Sequence, residues 1–364
     1  MSQCRAVSIT AQPDNHRWLD TGMPTARAAV DMRWLRALPK AELHVHLVGS
    51  ASPESVLELA RRHPERGVPT EQDALLDFFA FTDFAHFIEV YIAVNALVRT
   101  AEDVEVLTYQ VAGDLAAQQV RYAELTVTPD SHLLQGIAAD ALAEALTCAR
   151  RRAREELSVE LAWVFDIPGE LGLASGLRTI DWVEHHAPEG TVGFGLGGPE
   201  QGVPRAQFAD IFARARALGL HSVPHAGETT GPQTIRDAVT HLGAERIGHG
   251  IAAAEDPALM DELARRGIVL EVCPTSNLRT RAVASYDEHP LPTLVAAGID
   301  VAIASDDPGM FGTSLSDEYA VAARLLGLDH AGAAELARAS VRASYAPAPV
   351  RQRLVAEIDA YLAG

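Results

Sequence analysis

Cysteine, positive charge and long apolar runs are all scarce in this chain of 364 residues. Its three cysteines, Cys4, Cys148 and Cys273, are odd in number and far apart, and no C-x-x-C pair occurs. This usage is typical of a reducing compartment and offers neither a dithiol redox motif nor a zinc ribbon. The first 30 residues contain no apolar segment of the kind found in secretory signals or membrane spans, so we expect a cytoplasmic protein.

The charge balance is strongly acidic. Lysine and arginine together number 30 against 49 aspartates and glutamates, which gives a net charge of −19. Because nucleic acids and anionic membranes are held by basic surfaces, we expect neither as a partner. With 48% hydrophobic and 22% charged residues, the composition is that of a soluble globular protein. A small-molecule substrate is the partner that it favours, and it gives no indication of oligomeric state.

Eight short apolar runs alternate with segments of helical spacing from Leu38 onward. The runs are 43–47, 120–127, 161–167, 192–196, 221–224, 246–248, 268–273 and 301–304, and amphipathic segments follow at 206–218, 233–242, 257–266 and 290–297. This alternation is the pattern of repeated βα units. We predict an α/β fold, a (β/α)8 TIM-type barrel that forms a single domain over residues 34–364. Residues 1–33 are expected to be a mobile N-terminal tail.

About 70 residues of mostly helical pattern separate the first and second runs. They include six aromatic residues: Phe78, Phe79, Phe81, Phe84, Phe87 and Tyr91. An insertion after a barrel strand lies at the C-terminal face, where the active sites of such barrels are found, so this helical insertion is a candidate lid. We expect most of the aromatics to pack the core of the insertion and one or two to reach the pocket.

Polar residues stand at the ends of four of the eight runs. The first run contains His44-Val45-His46, and alternation along a strand directs both imidazoles to the same face. The sequences HAGE at 225–228, HG at 249–250 and SDDP at 305–308 follow the fifth, sixth and eighth runs. Any one of them could be a turn or an ordinary buried histidine. At four strand ends together, they indicate a catalytic site.

Neutral imidazoles with a carboxylate are the ligands that zinc prefers. We predict that His44, His46, His225 and Asp306 hold one zinc ion with an open position for water. Zinc lowers the pKa of a bound water to about 7, which makes a hydroxide nucleophile available at neutral pH. The sequence therefore predicts a metal-dependent hydrolase.

Six motifs in this chain resemble, in the same order, those of the adenosine deaminase family of the amidohydrolase superfamily. They are LPKAELHVHL at 38–47, LGGPE at 196–200, HAGE at 225–228, RIGHG at 246–250, CPTSN at 273–277 and SDDP at 305–308. The resemblance runs from about Leu38 to the C-terminus. Zinc deaminases of the cytidine type carry a P-C-x-x-C signature that this chain lacks. The resemblance implies hydrolytic deamination at C6 of a purine nucleoside.

Within this reaction, the predicted site residues take distinct roles. Glu228 is placed to protonate the purine N1, while His249 and Asp307 can orient the water and accept its proton, and Asp307 also contacts substrate. Gly198 occupies the family position whose backbone amide contacts the purine, and a glycine permits that close approach. Relatives that hold two metals bridge them with a carbamylated lysine at the end of the fourth strand. Residues 195–200 offer no lysine, so we expect one zinc per chain.

One position departs from the family pattern. Adenosine-processing members generally read H-x-H-L-D-G, where the aspartate accepts a hydrogen bond from the ribose 5′-hydroxyl, but this chain has Val48. An unpaired buried hydroxyl costs roughly 1 to 3 kcal/mol. We therefore predict that Val48 contacts a substrate that lacks this hydroxyl. Aminodeoxyfutalosine, a menaquinone intermediate, is favoured over methylthioadenosine. Its carboxylate would need a cation, for which Arg279 and Arg281 are the nearest candidates by motif position.

Three alternatives stay open at this stage. Val48 carries no specificity information if the chain is an adenosine deaminase proper. Adenine deaminases commonly have an acidic residue in the same loop, so Val48 argues mildly against a free base as substrate. A noncatalytic nucleoside-binding barrel is disfavoured because all of the predicted ligands and acid–base groups are present.

Overall fold

The barrel is built from eight parallel strands that pair in chain order. The structure, a computed structural model, describes residues 30–364. The strands are β1 Lys40–His46, β2 Val120–Val127, β3 Glu160–Pro168, β4 Thr191–Gly197, β5 His221–Ala226, β6 Arg246–His249, β7 Val269–Val272 and β8 Val301–Ile303. Hydrogen bonds from His46 N to Asp306 O (2.8 Å) and from Asp306 N to His44 O (2.9 Å) join the residues after β8 to β1. The predicted (β/α)8 fold is confirmed.

Seventeen α-helices lie within residues 30–364. They are α1 Met32–Ala37, α2 Pro53–Arg62, α3 Gln72–Phe78, α4 Phe84–Asn95, α5 Ala101–Ala117, α6 Pro129–Leu134, α7 Ala139–Arg152, α8 Gly172–His186, α9 Ala209–Ala217, α10 Pro232–Asp237, α11 Pro257–Arg266, α12 Pro274–Arg279, α13 Leu291–Ala296, α14 Pro308–Phe311, α15 Leu315–Leu326, α16 His330–Ala343 and α17 Ala348–Ala363. In this part of the chain, no helix combines the length and the apolar character that a membrane crossing requires. Of the predicted tail, residues 1–29 lie outside the described residues, and its last two residues, Met32 and Arg33, already belong to α1.

The first strand begins three residues before the apolar run that predicted it, because two charged side chains are buried in it. Lys40, the only lysine in the sequence, is fully buried and donates hydrogen bonds to the carbonyls of Leu35 (2.6 Å) and Leu38 (2.7 Å). Glu42 accepts a hydrogen bond from Ser305 Oγ (2.9 Å). Burial lowers the pKa of Lys40 to about 7 and raises that of Glu42 to about 8. A criterion based on apolar runs cannot detect such residues.

The insertion between β1 and β2 carries helices α2 to α5, as predicted, and an aromatic cluster joins it to the rim of the barrel. The ring centroid of Phe87 lies 5.0 Å from that of Phe311, and the centroid of Phe81 lies 5.8 Å from it. Phe311 ends α14, which begins directly after the site residues Asp306 and Asp307. The insertion is therefore packed against the chain segment that follows β8.

Candidate active site

The four predicted metal ligands meet at the C-terminal end of the barrel. Nε2 of His46 lies 3.2 Å from Nε2 of His225 and 3.3 Å from Oδ1 of Asp306. Nε2 of His44 lies 3.3 Å from the same Asp306 oxygen. His44, His46 and Asp306 are buried, and His225 is half-buried. The strand ends therefore place three imidazoles and one carboxylate around a common point.

The hydrogen bonds of these imidazoles make the cluster suitable for a cation. Nδ1 of His44 donates to Oε2 of Glu271 (2.8 Å), and Nδ1 of His225 donates to the carbonyl of Leu196 (3.0 Å). In a neutral ring, Nε2 is then a lone-pair acceptor. Nε2 of His44 is buried and has no hydrogen-bond partner among residues 30–364. Unpaired lone pairs that converge on Asp306 fit a divalent metal ion with nitrogen and oxygen ligands.

A buried ion network stands behind His44. Glu271 on β7 accepts a hydrogen bond from Nε of Arg246 (2.6 Å), and Arg246 also donates to Glu124 on β2. Burial opposes ionisation of Glu271, but Arg246 and His44 lower its pKa below the ordinary value. Glu271 therefore remains a carboxylate that fixes the tautomer of His44. Glu271 is not among the residues predicted from sequence, although a lone acid inside the apolar run 268–273 is a signal for it.

The predicted acid–base residues surround the same point. Nε2 of His249 lies 3.6 Å from Oε2 of Glu228 and 3.8 Å from Oδ2 of Asp306. Oδ1 of Asp307 is buried and has no hydrogen-bond partner in the described part of the chain. Gly49 leaves the space for it, since a Cβ there would lie 1.6 Å from that oxygen. Both His249 (φ 62°) and Asp306 (φ 64°) adopt the left-handed conformation, a strain that is common at functional sites.

The electrostatics favour a protonated Glu228 beside a neutral His249. Burial, reinforced by the charges of Asp306 and Glu200, raises the pKa of Glu228 well above its ordinary value. Burial lowers the pKa of His249 to about 3. Burial and the neighbouring His44 also lower the pKa of His225 well below its usual range. A carboxylic acid that holds its proton at neutral pH is suited to act as a general acid.

Glu200, the last residue of the LGGPE motif, holds the loop that carries Glu228. Its carboxylate accepts hydrogen bonds from the backbone amides of Glu228 (3.2 Å), Thr229 (3.2 Å) and Thr230 (2.9 Å). Nη2 of the buried Arg205 lies 3.9 Å from it. Because three successive amides share one carboxylate, the loop after β5 is tied to the loop after β4.

An open cavity is lined by six of these groups: His46, His225, Glu228, His249, Asp306 and Asp307. The insertion contributes one wall, made of Phe84, Phe87, Ile88, Tyr91, Ile92 and Asn95. Three of the six aromatics of the insertion thus line the cavity, more than the one or two expected. Apolar and aromatic side chains with a few converging polar groups are typical of a small-molecule site.

Gly198 lines this cavity, whereas Val48 does not. Gly198 has φ 77°, and a Cβ on it would lie 2.3 Å from Oε2 of Glu170, so the position requires glycine. The side chain of Val48 is 3% exposed and packs in the hydrophobic core, outside the described lining. Arg279 and Arg281 are also absent from that lining; Nη2 of Arg279 donates to the carbonyl of Phe79 (2.9 Å).

Two further carboxylates on the cavity wall were not identified from sequence. Asp166 near the end of β3 accepts a hydrogen bond from Oγ1 of Thr128 (2.6 Å), and Glu170 lies just beyond that strand. Burial raises the pKa of both groups. Asp166 interrupts the third apolar run, 161–167, and this was the signal that could have pointed to it.

The fold and site define a barrel enzyme with a buried histidine–aspartate cluster, and comparison with known proteins gives its family. The family model described as adenosine deaminase matches residues 39–361. The chain belongs to the adenosine deaminase family, which is a family of metal-dependent amidohydrolases. The predicted class, a hydrolase that acts on carbon–nitrogen bonds, is confirmed.

Individual relatives resemble the chain over nearly its whole length. A Streptomyces coelicolor protein named aminodeoxyfutalosine deaminase is 58% identical over 332 residues, which cover 91% of this chain and 86% of that protein. An adenine deaminase from Cupriavidus necator is 36% identical over 329 residues, covering 89% of this chain and 92% of that protein. The crystal structure of an adenine deaminase from Arthrobacter aurescens superposes with a TM-score of 0.84 at 31% identity and covers 90% of this chain and 100% of that chain.

Proposed function

We propose that the chain catalyses the zinc-dependent hydrolytic deamination of the 6-amino group of a 5′-modified adenosine, with aminodeoxyfutalosine as the favoured substrate. The observation that carries the chemistry is the convergence of His46, His225 and Asp306 in one cavity beside Glu228, whose raised pKa suits a general acid. The substrate is supported by the relative that is 58% identical and is named for it, against 36% for an adenine deaminase.

His44, His46, His225 and Asp306 would hold one zinc ion, which when bound activates water as a nucleophile at neutral pH. No lysine is available at these strand ends to bridge a second ion, because the single lysine of the chain lies at the opposite end of β1.

The residues of the chain supply the remaining steps. As the water oxygen bonds to C6, Glu228 donates its proton to N1, which offsets the negative charge that would otherwise develop on the ring. His249 and Asp307 act on the water, and one of its protons passes through an acid–base group to the departing amine. The bond between C6 and the amino nitrogen then breaks, ammonia leaves, and the second proton of the water restores the proton of Glu228. The backbone amide of Gly198 holds the purine, and the aromatic wall of the insertion excludes bulk water.

The acidity of the cavity favours a second candidate, methylthioadenosine. Five carboxylates line the cavity, namely Asp166, Glu170, Glu228, Asp306 and Asp307, and no lysine or arginine does so within residues 30–364. These carboxylates would repel a substrate that carries its own carboxylate. They would not repel the uncharged 5′-thioether of methylthioadenosine.

A panel of four compounds tests the proposed function. Purified enzyme is assayed with aminodeoxyfutalosine, methylthioadenosine, adenosine and adenine, and turnover is followed by the loss of adenine absorbance and by ammonia release. We expect kcat/KM for aminodeoxyfutalosine to exceed that for adenosine by about 5- to 150-fold, the equivalent of one unpaired hydroxyl. A preference for adenosine or adenine would overturn the substrate assignment, and no ammonia from any of the four would overturn the reaction.

Because Val48 packs in the core outside the cavity lining, Val48→Asp is expected to leave the ratio of kcat/KM between adenosine and a 5′-modified substrate unchanged. A shift toward adenosine by roughly 1 to 3 kcal/mol would show instead that an aspartate at this position accepts the 5′-hydroxyl. Val48→Ala, which adds no acceptor, is the matched control. The wild-type valine is buried, so the aspartate also lowers stability, but the ratio between two substrates does not depend on the folded fraction. An unchanged ratio in Val48→Asp would show that position 48 carries no information on specificity.

A further inference from the structure

A chain of hydrogen bonds runs from a helix terminus to His249, and nothing in the proposed reaction accounts for it. The backbone N–H of Leu291, the first residue of α13, donates to Nδ1 of His289 (3.1 Å). Nε2 of His289 lies 3.3 Å from Oδ1 of Asn277, and Nδ2 of Asn277 lies 3.2 Å from Nδ1 of His249. All four residues are buried, and Asn277 is fully so.

The direction of every bond in this chain is set by the backbone amide at its start. An N–H group can only donate, so Nδ1 of His289 is an acceptor and its ring proton resides on Nε2. That Nε2–H donates to Oδ1 of Asn277, which leaves the amide nitrogen of Asn277 facing His249 as a donor. The reversed amide would require His289 to accept at both nitrogens, which a neutral imidazole cannot do.

The consequence for His249 follows directly. Because Nδ1 accepts a hydrogen bond from Asn277, it carries no proton, and the ring proton must reside on Nε2. This Nε2 faces the reacting space, 3.6 Å from Oε2 of Glu228 and 3.8 Å from Oδ2 of Asp306.

We propose that Asn277 and His289 are positioning residues that hold His249 in its Nε2–H tautomer, so that His249 enters the reaction as a hydrogen-bond donor and not as the acceptor of the water proton. The tautomer of His249 does not depend on the proposed deaminase function; only the role of its Nε2–H group in the reaction rests on that function. In that reaction, the Nε2–H group orients the oxygen of the attacking water and stabilises negative charge as it develops.

The proton that the water loses then needs another acceptor, and we assign it to Asp307, because one of its carboxylate oxygens lies within 4.8 Å of ligand atoms of His46 and Asp306. Its Oδ1 is buried, lacks a hydrogen-bond partner among the described residues and is approached closely by Gly49. Of the two groups that the sequence assigned jointly to the water, His249 is thus the donor and Asp307 the acceptor. One proton passes from water to Asp307, and the proton on N1 comes from Glu228.

Nitrogen-15 NMR of the zinc-loaded protein, labelled at histidine, tests the tautomer directly. The 14 histidines of the chain are separated by recording the spectrum of His249→Gln, in which the signals of His249 disappear. We expect Nδ1 of His249 to be unprotonated and Nε2 to carry the proton. A proton on Nδ1, whether alone or together with one on Nε2, would overturn the proposal. This measurement needs no substrate, so it stands even if none of the four candidate substrates is turned over.

Variants at the two positioning residues link the tautomer to turnover. In Asn277→Asp, the carboxylate accepts from both histidines and draws the proton of His249 to Nδ1. We expect kcat to fall by ~10²- to 10⁴-fold, the scale of losing a correctly protonated catalytic histidine, with little change in KM. If the proton moves to Nδ1 and kcat is unaffected, His249 does not act as a donor and the proposal fails.

A matched pair at position 289 separates hydrogen bonding from packing. Glutamine can still donate to Asn277 through its amide, whereas leucine cannot. We expect His289→Gln to retain the wild-type tautomer and most of kcat, and His289→Leu to give a mixture of tautomers with a lower kcat and a similar KM. Wild-type spectra and turnover in His289→Leu would show that the chain of hydrogen bonds does not set the tautomer.

Discussion

Replacing His225 by alanine is expected to abolish deaminase activity and to remove the bound metal. His225 offers its Nε2 lone pair 3.2 Å from Nε2 of His46, and its Nδ1 is already committed to the carbonyl of Leu196. Without this ligand, only His44, His46 and Asp306 remain to hold the ion. The zinc affinity should therefore fall by at least ~100-fold, which is more than the loss caused by removing a hydrogen bond to one of the ligands. Metal content by mass spectrometry of the dialysed protein gives about one zinc per chain for wild type and far less for the variant.

His221→Ala is the matched control for this experiment. His221 begins the same strand, β5, but its side chain is 40% exposed and hydrogen-bonds Glu245 outside the cavity. This variant should keep its zinc and its activity. Two metal ions per wild-type chain, or full wild-type activity after exhaustive chelation, would contradict the single-ion site.

The second large effect is expected from Glu228→Gln, which removes the proton for N1 and leaves the shape of the side chain unchanged. The amide should still accept the hydrogen bond that Oγ1 of Thr280 makes to Oε1 of Glu228 (3.1 Å), and Glu200 should still hold the loop. Zinc content and KM should therefore change little, while kcat falls by at least ~100-fold. Rapid-quench measurement of single turnovers would show that the chemical step is the one affected.

The pH dependence of the wild type provides an independent check on Glu228. Burial raises its pKa well above the ordinary value, and the proposed general acid is the protonated form. As pH rises through that pKa, the proton is lost and kcat should decrease, whereas Glu228→Gln should show no such decrease. Turnover close to the wild-type rate in the variant would place the proton donor elsewhere.

The sequence alone determined the barrel and the location of its site. Apolar runs marked all eight strands, because a strand in a parallel barrel is covered on both faces. The predicted ligands His44, His46, His225 and Asp306 follow or end three of those strands. In a parallel barrel all strand ends of one polarity meet at the same rim, so residues far apart in sequence could be placed together without coordinates.

Only the tertiary structure decided which groups support the site. Glu271 meets His44 across 227 residues of sequence, and the pairing depends on the register of β7 against its neighbours. Asn277 and His289 are ordinary polar residues in the sequence. Their effect on His249 is evident only from three hydrogen bonds that join Leu291, His289, Asn277 and His249 in the folded chain. A side chain on an apolar strand or helix gains such a role from the atoms opposite it, which local periodicity does not encode.

The same reason explains the mixed outcome at the wall of the cavity. The sequence identified Gly198 through its motif, and its side-chain-free backbone does face the cavity. It also pointed to Val48 through a departure from that family's pattern, but the neighbouring turn directs this side chain into the core. Motifs determine which residues are available near a strand end. The direction in which each side chain points is decided by backbone conformation and by the packing of distant segments, and these exist only in the folded chain.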